Sequence, residues 1–297
     1  MYLLLALLAA FVFAVGSIAY KRAYAEGAGI VHTLVINNLV IAVLFLPLFA
    51  LEVKPFDWAH WHLPALTALA YVTGHLLHVV SLRVGDVSLA TPLLGAKVIF
   101  VALLGRLVFG VELQLTQWIS AALATSGVVL MGFTDVRAGG KLGVTTLLAL
   151  GCSASFACTD LMIQTWGDRF GTFNFLPFQF VVLGLLSGAA LPFFGTSTLR
   201  ISKIAWKWAL IGIAMSALQA ILITATISLW HDAAGVNVVY ATRGLWSIAL
   251  VWWLGHHIGN HERTTAGGRL MAWRLAGGLL IVSAVILTTY AGRVRTL

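Results

Sequence analysis

The stretch that decides the fold is residues 81–132, which read SLRVGDVSLATPLLGAKVIFVALLGRLVFGVELQLTQWISAALATSGVVLMG. Two apolar runs within and just beyond it, at roughly 88–109 and 115–133, are each long enough to cross the hydrocarbon core of a bilayer as a helix. A short break containing Gly110 and Glu112 separates the two runs and marks a turn. The pattern predicts two membrane-spanning helices joined by a tight loop.

The composition extends this interpretation to the whole chain. Of its 297 residues, 60% are hydrophobic and only 9% are charged, whereas an average soluble domain is roughly 25% charged. A soluble protein could not bury so much apolar surface, because much of its exterior must stay polar. The net charge of +8 is spread over short loops and helix ends. This favours contact with anionic lipid headgroups over binding of nucleic acid.

Apolar runs separated by polar or Gly- and Pro-containing breaks predict an all-α integral membrane protein with ten transmembrane helices. The first run lacks the positive start of a signal peptide, so we read it as a retained helix. The predicted spans are roughly 2–20, 31–51, 63–82, 88–109, 115–133, 142–165, 172–194, 205–229, 235–256 and 270–290.

The second half of the chain echoes the first. The matched pairs, at offsets of 145 to 150 residues, are Pro47 with Pro192, Asp86 with Asp232, Lys97 with Arg243, and Glu112 with Glu262. This divides the chain into repeats at 1–138 and 139–297, each with five spans. Because five is odd, the second repeat enters the membrane with opposite polarity. Such inverted repeats are common in secondary transporters, which bind substrate between the halves.

The stretch from Ser81 to Gly132 resembles the EamA-type, ten-helix members of the drug/metabolite transporter superfamily. It shares their short polar turn, the helix that opens with small residues and a Thr-Pro step, the Gly-Glu turn and the Gly-containing helix that follows. Gly16-Ser17 resembles the family's Gly-Ser step, and 228–287 repeats the flow. The resemblance implies a secondary transporter that moves a small organic metabolite by alternating access, in the cytoplasmic membrane of a bacterium.

Two departures from the family pattern leave the substrate class open. The Gly-Glu turn here carries an intervening residue, Val111, and the second repeat has a His-rich insertion around His256 to Gly259. Neither feature selects one kind of solute. Whether a proton or another ion is coupled to transport also stays open at this point.

The sequence places two cations in the middle of predicted spans, Lys97 in the fourth and Arg243 in the ninth. A cation at mid-depth costs about 2.5–3.5 kcal/mol on insertion scales, so it is a functional candidate. If both face one cavity, they suit an anionic group such as a carboxylate or phosphate. The organophosphate translocators of the same superfamily are similar in this placement. Alternatively, each cation pairs with an acid and holds the bundle together.

Asp160, inside the sixth predicted span, is the candidate acid. It could be the permanent counter-ion of Lys97 or Arg243, or it could carry a coupled proton.

Aromatic and histidine side chains are the remaining cavity candidates. Tyr71, His75 and His78 are spaced to share one face of the third span, where they could line the cavity or simply form interior hydrogen bonds. Histidine could also relay protons near neutral pH. Tyr240 adjoins Arg243 in the sequence, and Trp246 is placed deep enough to stack over a substrate.

Other classes of function find less support in the sequence. There is no Walker loop, Rossmann fingerprint or nucleophile elbow, so neither ATP nor another cofactor is expected. His257, His261 and Glu262 lack a zinc-binding pattern, and no metal is expected. The alternatives are a polytopic membrane enzyme acting on a lipid-soluble substrate, and a non-transporting scaffold. A monomer and a homodimer are both open, since the glycines at 184 and 188 could pack within the chain or form a dimer face.

Overall fold

The computed structural model describes residues 2–84, 93–133, 142–190, 192, 202–258 and 268–294. Within these ranges the regular elements are all helices, and no strand occurs. Asp86, His261 and Glu262 lie outside the described residues, and so does the side chain of His257. The repeat pairs and the metal alternative that involve them therefore stay predictions from the sequence.

The described residues form eleven α-helices. They are α1 (Leu3–Ala25), α2 (Ile30–Phe45), α3 (His62–Val84), α4 (Lys97–Leu107), α5 (Leu115–Phe133), α6 (Leu142–Phe170), α7 (Thr172–Ala190), α8 (Lys203–Trp230), α9 (Ala233–Tyr240), α10 (Arg243–Ile258) and α11 (Gly268–Val294). Short 3-10 turns occur at Leu46–Leu51, Trp58–His60 and Leu94–Ala96.

Seven helical segments of the described chain are long and apolar enough to cross a membrane. They are Leu3–Ala25, Ile30–Leu51, His62–Ser81, Gly143–Phe170, Thr172–Ala190, Lys203–Trp230 and Trp273–Tyr290, and Leu115–Met131 is a shorter apolar helix. Large aliphatic side chains such as Leu4 and Leu185 are exposed on the outside. Because lipid, unlike water, accepts such a surface, the fold is that of an all-helical, multi-pass membrane protein.

Two of the apolar runs are interrupted rather than continuous. The 3-10 turn Leu94–Ala96 precedes α4, and Ala241 and Thr242 form a turn between α9 and α10. Because these turns divide the apolar runs, the helices α4, α9 and α10 are each too short to cross a bilayer alone. Lys97 and Arg243 are the first residues of the helices that begin after the two interruptions.

The helices pack in pairs that join the first and second halves of the chain. In the closest pairs, α1 packs on α8, α3 on α6, α2 on α7 and α5 on α11. The glycine pattern of α7 is used within these contacts, because Gly184 lies against Ala42 of α2 and Gly188 against Leu39. These glycines therefore serve packing inside the chain.

Candidate functional site

Lys97 and Asp160 lie at the same depth in the bundle. Each stands ten residues before the last residue of its helix, Leu107 of α4 and Phe170 of α6. Ten residues of α-helix span about 15 Å, which is half of the roughly 30 Å hydrocarbon core. Both side chains therefore belong to the middle of the membrane, where an unpaired charge is most costly.

Lys97 and Asp160 form an ion pair in this position. The Lys97 Nζ atom lies 2.7 Å from Oδ2 of Asp160, and the two side chains are only 14% and 6% exposed. Asn237 of α9 donates a hydrogen bond from Nδ2 to the same carboxylate oxygen at 2.6 Å, and its Nδ2 also reaches the Ala233 carbonyl at 2.9 Å. A buried pair tolerates loss of water only with good geometry and further hydrogen bonds, and Asn237 supplies one.

Arg243 has a different environment from Lys97. Its guanidinium carbon lies 4.6 Å from the ring centroid of Tyr240 and 5.1 Å from that of Phe13. Attraction between a cation and an aromatic face contributes about 0.5–2 kcal/mol, more when water is excluded. Among the described residues, no carboxylate forms an ion pair with Arg243. The two cations related by the sequence repeat thus differ: a carboxylate balances one, and aromatic rings flank the other.

Both cations line one cleft, which we call the central cleft. Its walls are Gly95, Lys97, Val98, Val128, Asn237, Tyr240, Ala241 and Arg243. The structure therefore brings together Lys97, Arg243 and Tyr240 from the predicted set, with Asp160 directly behind Lys97.

Tyr71, His75 and His78 lie beside this cleft without forming its walls. Tyr71 is close enough to Asp160 and Tyr240, and His78 to Arg243, for their charges to interact. The Tyr71 and His75 rings pack edge to face at 4.7 Å. His75 Nδ1 lies 3.3 Å from the Asn38 amide nitrogen. His75 is thus an interior hydrogen-bonded residue, while Tyr71 and His78 are the members of the stripe nearest the charges.

Trp246 lies on the α1 side of α10. Its ring packs edge to face on Phe11 at 5.3 Å, and it is not among the residues that line the central cleft. The structure thus places Trp246 one turn beyond Arg243 against α1, apart from the other cavity candidates.

Asn237 and Phe13 are the contact residues that the sequence reasoning did not single out. Asn237 could have been identified from the sequence, since it is a primary amide in an apolar run, one helical turn before Tyr240. Phe13 carries none, because a phenylalanine in the first apolar helix is indistinguishable from the lipid-facing and core aromatics around it.

A second polar region closes one end of the bundle. Tyr2 donates a hydrogen bond from its hydroxyl to Asp232 Oδ2 at 2.6 Å, and the Gln164 side-chain oxygen accepts one from the Ala233 backbone N–H at 2.7 Å. We call this end of the bundle the Tyr2 end. These contacts border a small cleft whose polar walls are Glu112, Gln117, Gln164, His231 and Asp232.

Further ion pairs and hydrogen bonds at this end of the bundle join the two halves of the chain. Arg169 donates from Nε to Asp57 at 2.8 Å, and the Lys54 ammonium group donates to the Asp168 carbonyl at 2.8 Å. Glu52 accepts a hydrogen bond from the Phe173 backbone N–H at 3.1 Å. The hydrogen bond from Arg169 is the main cause that lowers the pKa of Asp57 below its ordinary value. These contacts fasten the loop 46–61 to the second half.

A polytopic helical bundle with a charged cleft at mid-depth and interrupted helices beside it is the architecture of a membrane transport protein. Residues 1–133 match the model of the EamA-like transporter family. The match confirms the resemblance seen in the sequence: the first 133 residues are similar to the EamA-like transporters of the drug/metabolite transporter superfamily. Members of this family are membrane transporters rather than enzymes.

Comparison with solved structures supports the fold across the whole chain. A structure titled "Crystal structure of protein" is 16% identical, with a TM-score of 0.73 over 98% of this chain and 97% of that chain. At this identity the similarity shows the fold alone. No curated protein matches the chain.

Proposed function

We propose that this protein is a secondary active transporter that moves a small organic metabolite, preferentially an anion, across a bacterial cytoplasmic membrane by alternating access. In this proposal, ten spans form two inverted five-helix repeats, 1–138 and 139–297. The substrate binds in the central cleft, between the repeats. The observation that best supports this proposal is the cluster of Lys97, Asp160 and Arg243 at mid-depth in the bundle.

The helix packing supports the proposed pair of repeats. If the repeats correspond, α6 matches α1 and α8 matches α3, so the pair α1 with α8 should have a counterpart in α6 with α3. Both are among the closest pairs. In the same correspondence, α7 matches α2 and α11 matches α5. Exchanging the two repeats therefore leaves the pairs α2 with α7 and α5 with α11 unchanged, and both are also among the closest pairs. A chain without internal symmetry has no reason to pack in this exchangeable way.

Glycines at the contact between α5 and α11 add a residue-level match. A Cβ atom built on Gly127 would lie 2.6 Å from the Gly277 carbonyl oxygen, and one built on Gly277 would lie 2.6 Å from the Gly127 carbonyl oxygen. The two glycines are 150 residues apart, the same offset as Glu112 and Glu262. The reciprocal contact is what two equivalent helices crossing at a pseudo-two-fold axis would form.

Both halves contribute to the buried charges. Lys97 comes from the first half, whereas Asp160, Asn237 and Arg243 come from the second, and these residues meet at the interface of the halves. Buried polar groups are costly in lipid, so a protein with only a scaffolding role has little reason to hold them there. A site shared by two halves can be exposed to either side of the membrane when the halves rock.

The Tyr2 end is the closed side of such a transporter. Its contacts join Tyr2 to Asp232, Lys54 to Asp168 and Asp57 to Arg169, each from the first half to the second. In alternating access these contacts break when the Tyr2 end opens. Asp160 acts in this scheme as the fixed counter-ion of Lys97, and a proton on Asp160 is the competing role that a measurement of coupling would detect.

The experiment that tests the function combines binding with transport. The purified protein is melted in detergent against a library of small metabolites, because a ligand of the folded state raises the melting temperature with its concentration. Compounds that raise it are then offered to proteoliposomes. We expect uptake that protein-free vesicles lack, and an imposed pH gradient shows whether a proton is coupled. Absence of uptake for every stabilising compound would contradict a transport function.

A further inference from the structure

We propose that Arg243 binds the carboxylate of a monoanionic substrate with an apolar body, and that Lys97 serves Asp160 rather than the substrate. This inference rests on the proposed function, and it narrows the substrate class beyond an anion in general. It follows from the different environments of the two cations.

The charges around the central cleft leave one positive charge in excess. Lys97 and Arg243 each contribute +1, and Asp160 contributes −1 at 2.7 Å from Lys97. Among the described residues, no other Lys, Arg, Asp or Glu lines this cleft. A single negative charge on the substrate would therefore neutralise the site completely.

Arg243 is also the cation whose geometry suits a carboxylate. The rings of Tyr240 and Phe13 lie near its guanidinium, at 4.6 and 5.1 Å from the guanidinium carbon. Arg243 hydrogen-bonds the Tyr240 side chain, but a guanidinium has five N–H donors in one plane, and one hydroxyl cannot occupy them all. Carboxylates bind to the edge of a guanidinium through two parallel hydrogen bonds. The rings thus fix the orientation of the donor without neutralising it.

Lys97 is poorly placed to bind a second negative charge. Its ammonium would have to leave Asp160, whose carboxylate is 6% exposed and would then keep only the hydrogen bond from Asn237. Removing one partner of a buried pair is strongly destabilising because it leaves an uncompensated charge. A dianion such as a phosphate monoester or dicarboxylate would therefore lack a second binding group.

The rest of the central cleft suits a small apolar body. Its other walls include Gly95, Val98, Val128 and Ala241, which offer no charge and no side-chain hydrogen-bonding group. A hydroxyl-rich or amide-rich solute would lose its hydrogen bonds to water without replacement there. The aliphatic or aromatic body of a monocarboxylate forms no hydrogen bonds to water, so it loses none when it enters this part of the cleft.

The test uses matched probes on the intact, purified protein. Butyrate, benzoate and phenylacetate are compared with their amides, with succinate and with glycerol 3-phosphate, by thermal melting and by uptake into proteoliposomes. We expect at least one monocarboxylate to bind at least tenfold more tightly than its amide and than either dianion.

Variants identify the group responsible for that preference. Arg243→Gln should weaken the preferred monocarboxylate at least tenfold, and Arg243→Lys should restore part of the binding. The double variant Lys97→Gln, Asp160→Asn removes both charges of the pair and should keep the preference for the monocarboxylate over its amide. The melting temperature without ligand shows that each variant is folded, and the lysine variant keeps the test decisive if Arg243→Gln does not fold.

Several results would overturn the inference. They are binding of dianions or amides as tight as that of monocarboxylates, loss of the preference for the monocarboxylate over its amide in the double variant, and absence of binding by all eight probes. If such a protein still transports another solute from the wider library, the proposed transport function stands and only the role of Arg243 fails. Failure of every solute in uptake contradicts the transport function itself.

Discussion

The middle of the bundle and its Tyr2 end both contain ion pairs, but their surroundings differ. Lys97 and Asp160 in the middle are 14% and 6% exposed, whereas Arg169 and Asp57 at the Tyr2 end are 48% and 28% exposed. An exposed pair contributes about 0–1 kcal/mol, since water replaces each partner at little cost. A buried pair cannot be separated without leaving an uncompensated charge.

The difference in exposure suits the two ion pairs to different roles. Contacts at the Tyr2 end are individually weak, so they could break and re-form in the proposed transport cycle. The central pair is fixed and sets the charge of the cleft. A transporter needs both properties, a lasting binding site and a closure that opens at low cost.

The largest effect should come from breaking the central pair on one side. Asp160→Asn leaves the Lys97 ammonium buried without its carboxylate, and we expect destabilisation of about 3–5 kcal/mol, visible as a large fall in melting temperature in detergent. The control is the double variant Lys97→Gln, Asp160→Asn, which should recover much of the loss. Equal melting of the single variant and the wild type would show that the pair is not a structural requirement.

The next effect concerns the reciprocal glycine contact. Gly127→Ala places a methyl group 2.6 Å from the Gly277 carbonyl oxygen, so α5 and α11 must separate, and overpacking of this kind costs about 1–3 kcal/mol. Gly143→Ala is the matched control, because nothing lies within 4 Å of its Cβ position. We expect the first variant to melt lower than the wild type and the second to melt at or above it. The reverse order would remove support for a close crossing of these helices.

A smaller effect should follow from loosening the Tyr2 end. Tyr2→Phe removes the part-buried hydrogen bond to Asp232, whose net contribution is about 0.5–1.5 kcal/mol. Opening should then be more frequent. It can be measured as faster thiol labelling of Leu113→Cys, which lines the cleft at this end, after Cys152 and Cys158 are replaced by Ala. Tyr24→Phe, which changes a tyrosine at the end of α1 away from Tyr2, should not accelerate labelling.

The smallest effect concerns the exposed pair and depends on pH. Because Arg169 lowers the pKa of Asp57 below its ordinary 3.8, the pair stabilises the folded protein above that value, and the stabilisation is lost as the pH falls through the lowered pKa. The melting temperatures of wild type and Arg169→Gln should differ slightly at pH 6, and the difference should shrink as the pH falls through the lowered pKa of Asp57. A difference that grows at low pH would show that this pair is not its source.

Much of the architecture could be predicted from the sequence because lipid imposes a simple rule. Apolar runs of about 20 residues indicate spans, and the offset of 146 residues relates Lys97 to Arg243 in the sequence alone. The interruptions at Leu94–Ala96 and at Ala241–Thr242 could not be predicted this way. Hydropathy measures how apolar a segment is, and it does not detect where a helix breaks.

The partners within the site were also beyond the sequence. Repeat symmetry made Lys97 and Arg243 equivalent, and Asp160 was a candidate partner for either. Only the geometry assigns Asp160 to Lys97, adds Asn237 to the pair and places Phe13 and Tyr240 around Arg243. These contacts depend on side-chain directions in helices far apart in the chain, which spacing alone does not fix. Trp246 illustrates this limit, because its position within the predicted ninth span did not reveal that its ring packs on Phe11.

The most direct test of transport by alternating access is counterflow in proteoliposomes. Vesicles are loaded with a high concentration of an unlabelled solute that stabilises the protein, diluted, and given the same solute with a radioactive label outside. We expect transient accumulation of label above its outside concentration, and its absence in protein-free vesicles. If the label only equilibrates, or does not enter, the central cleft is not the site of an alternating-access transporter.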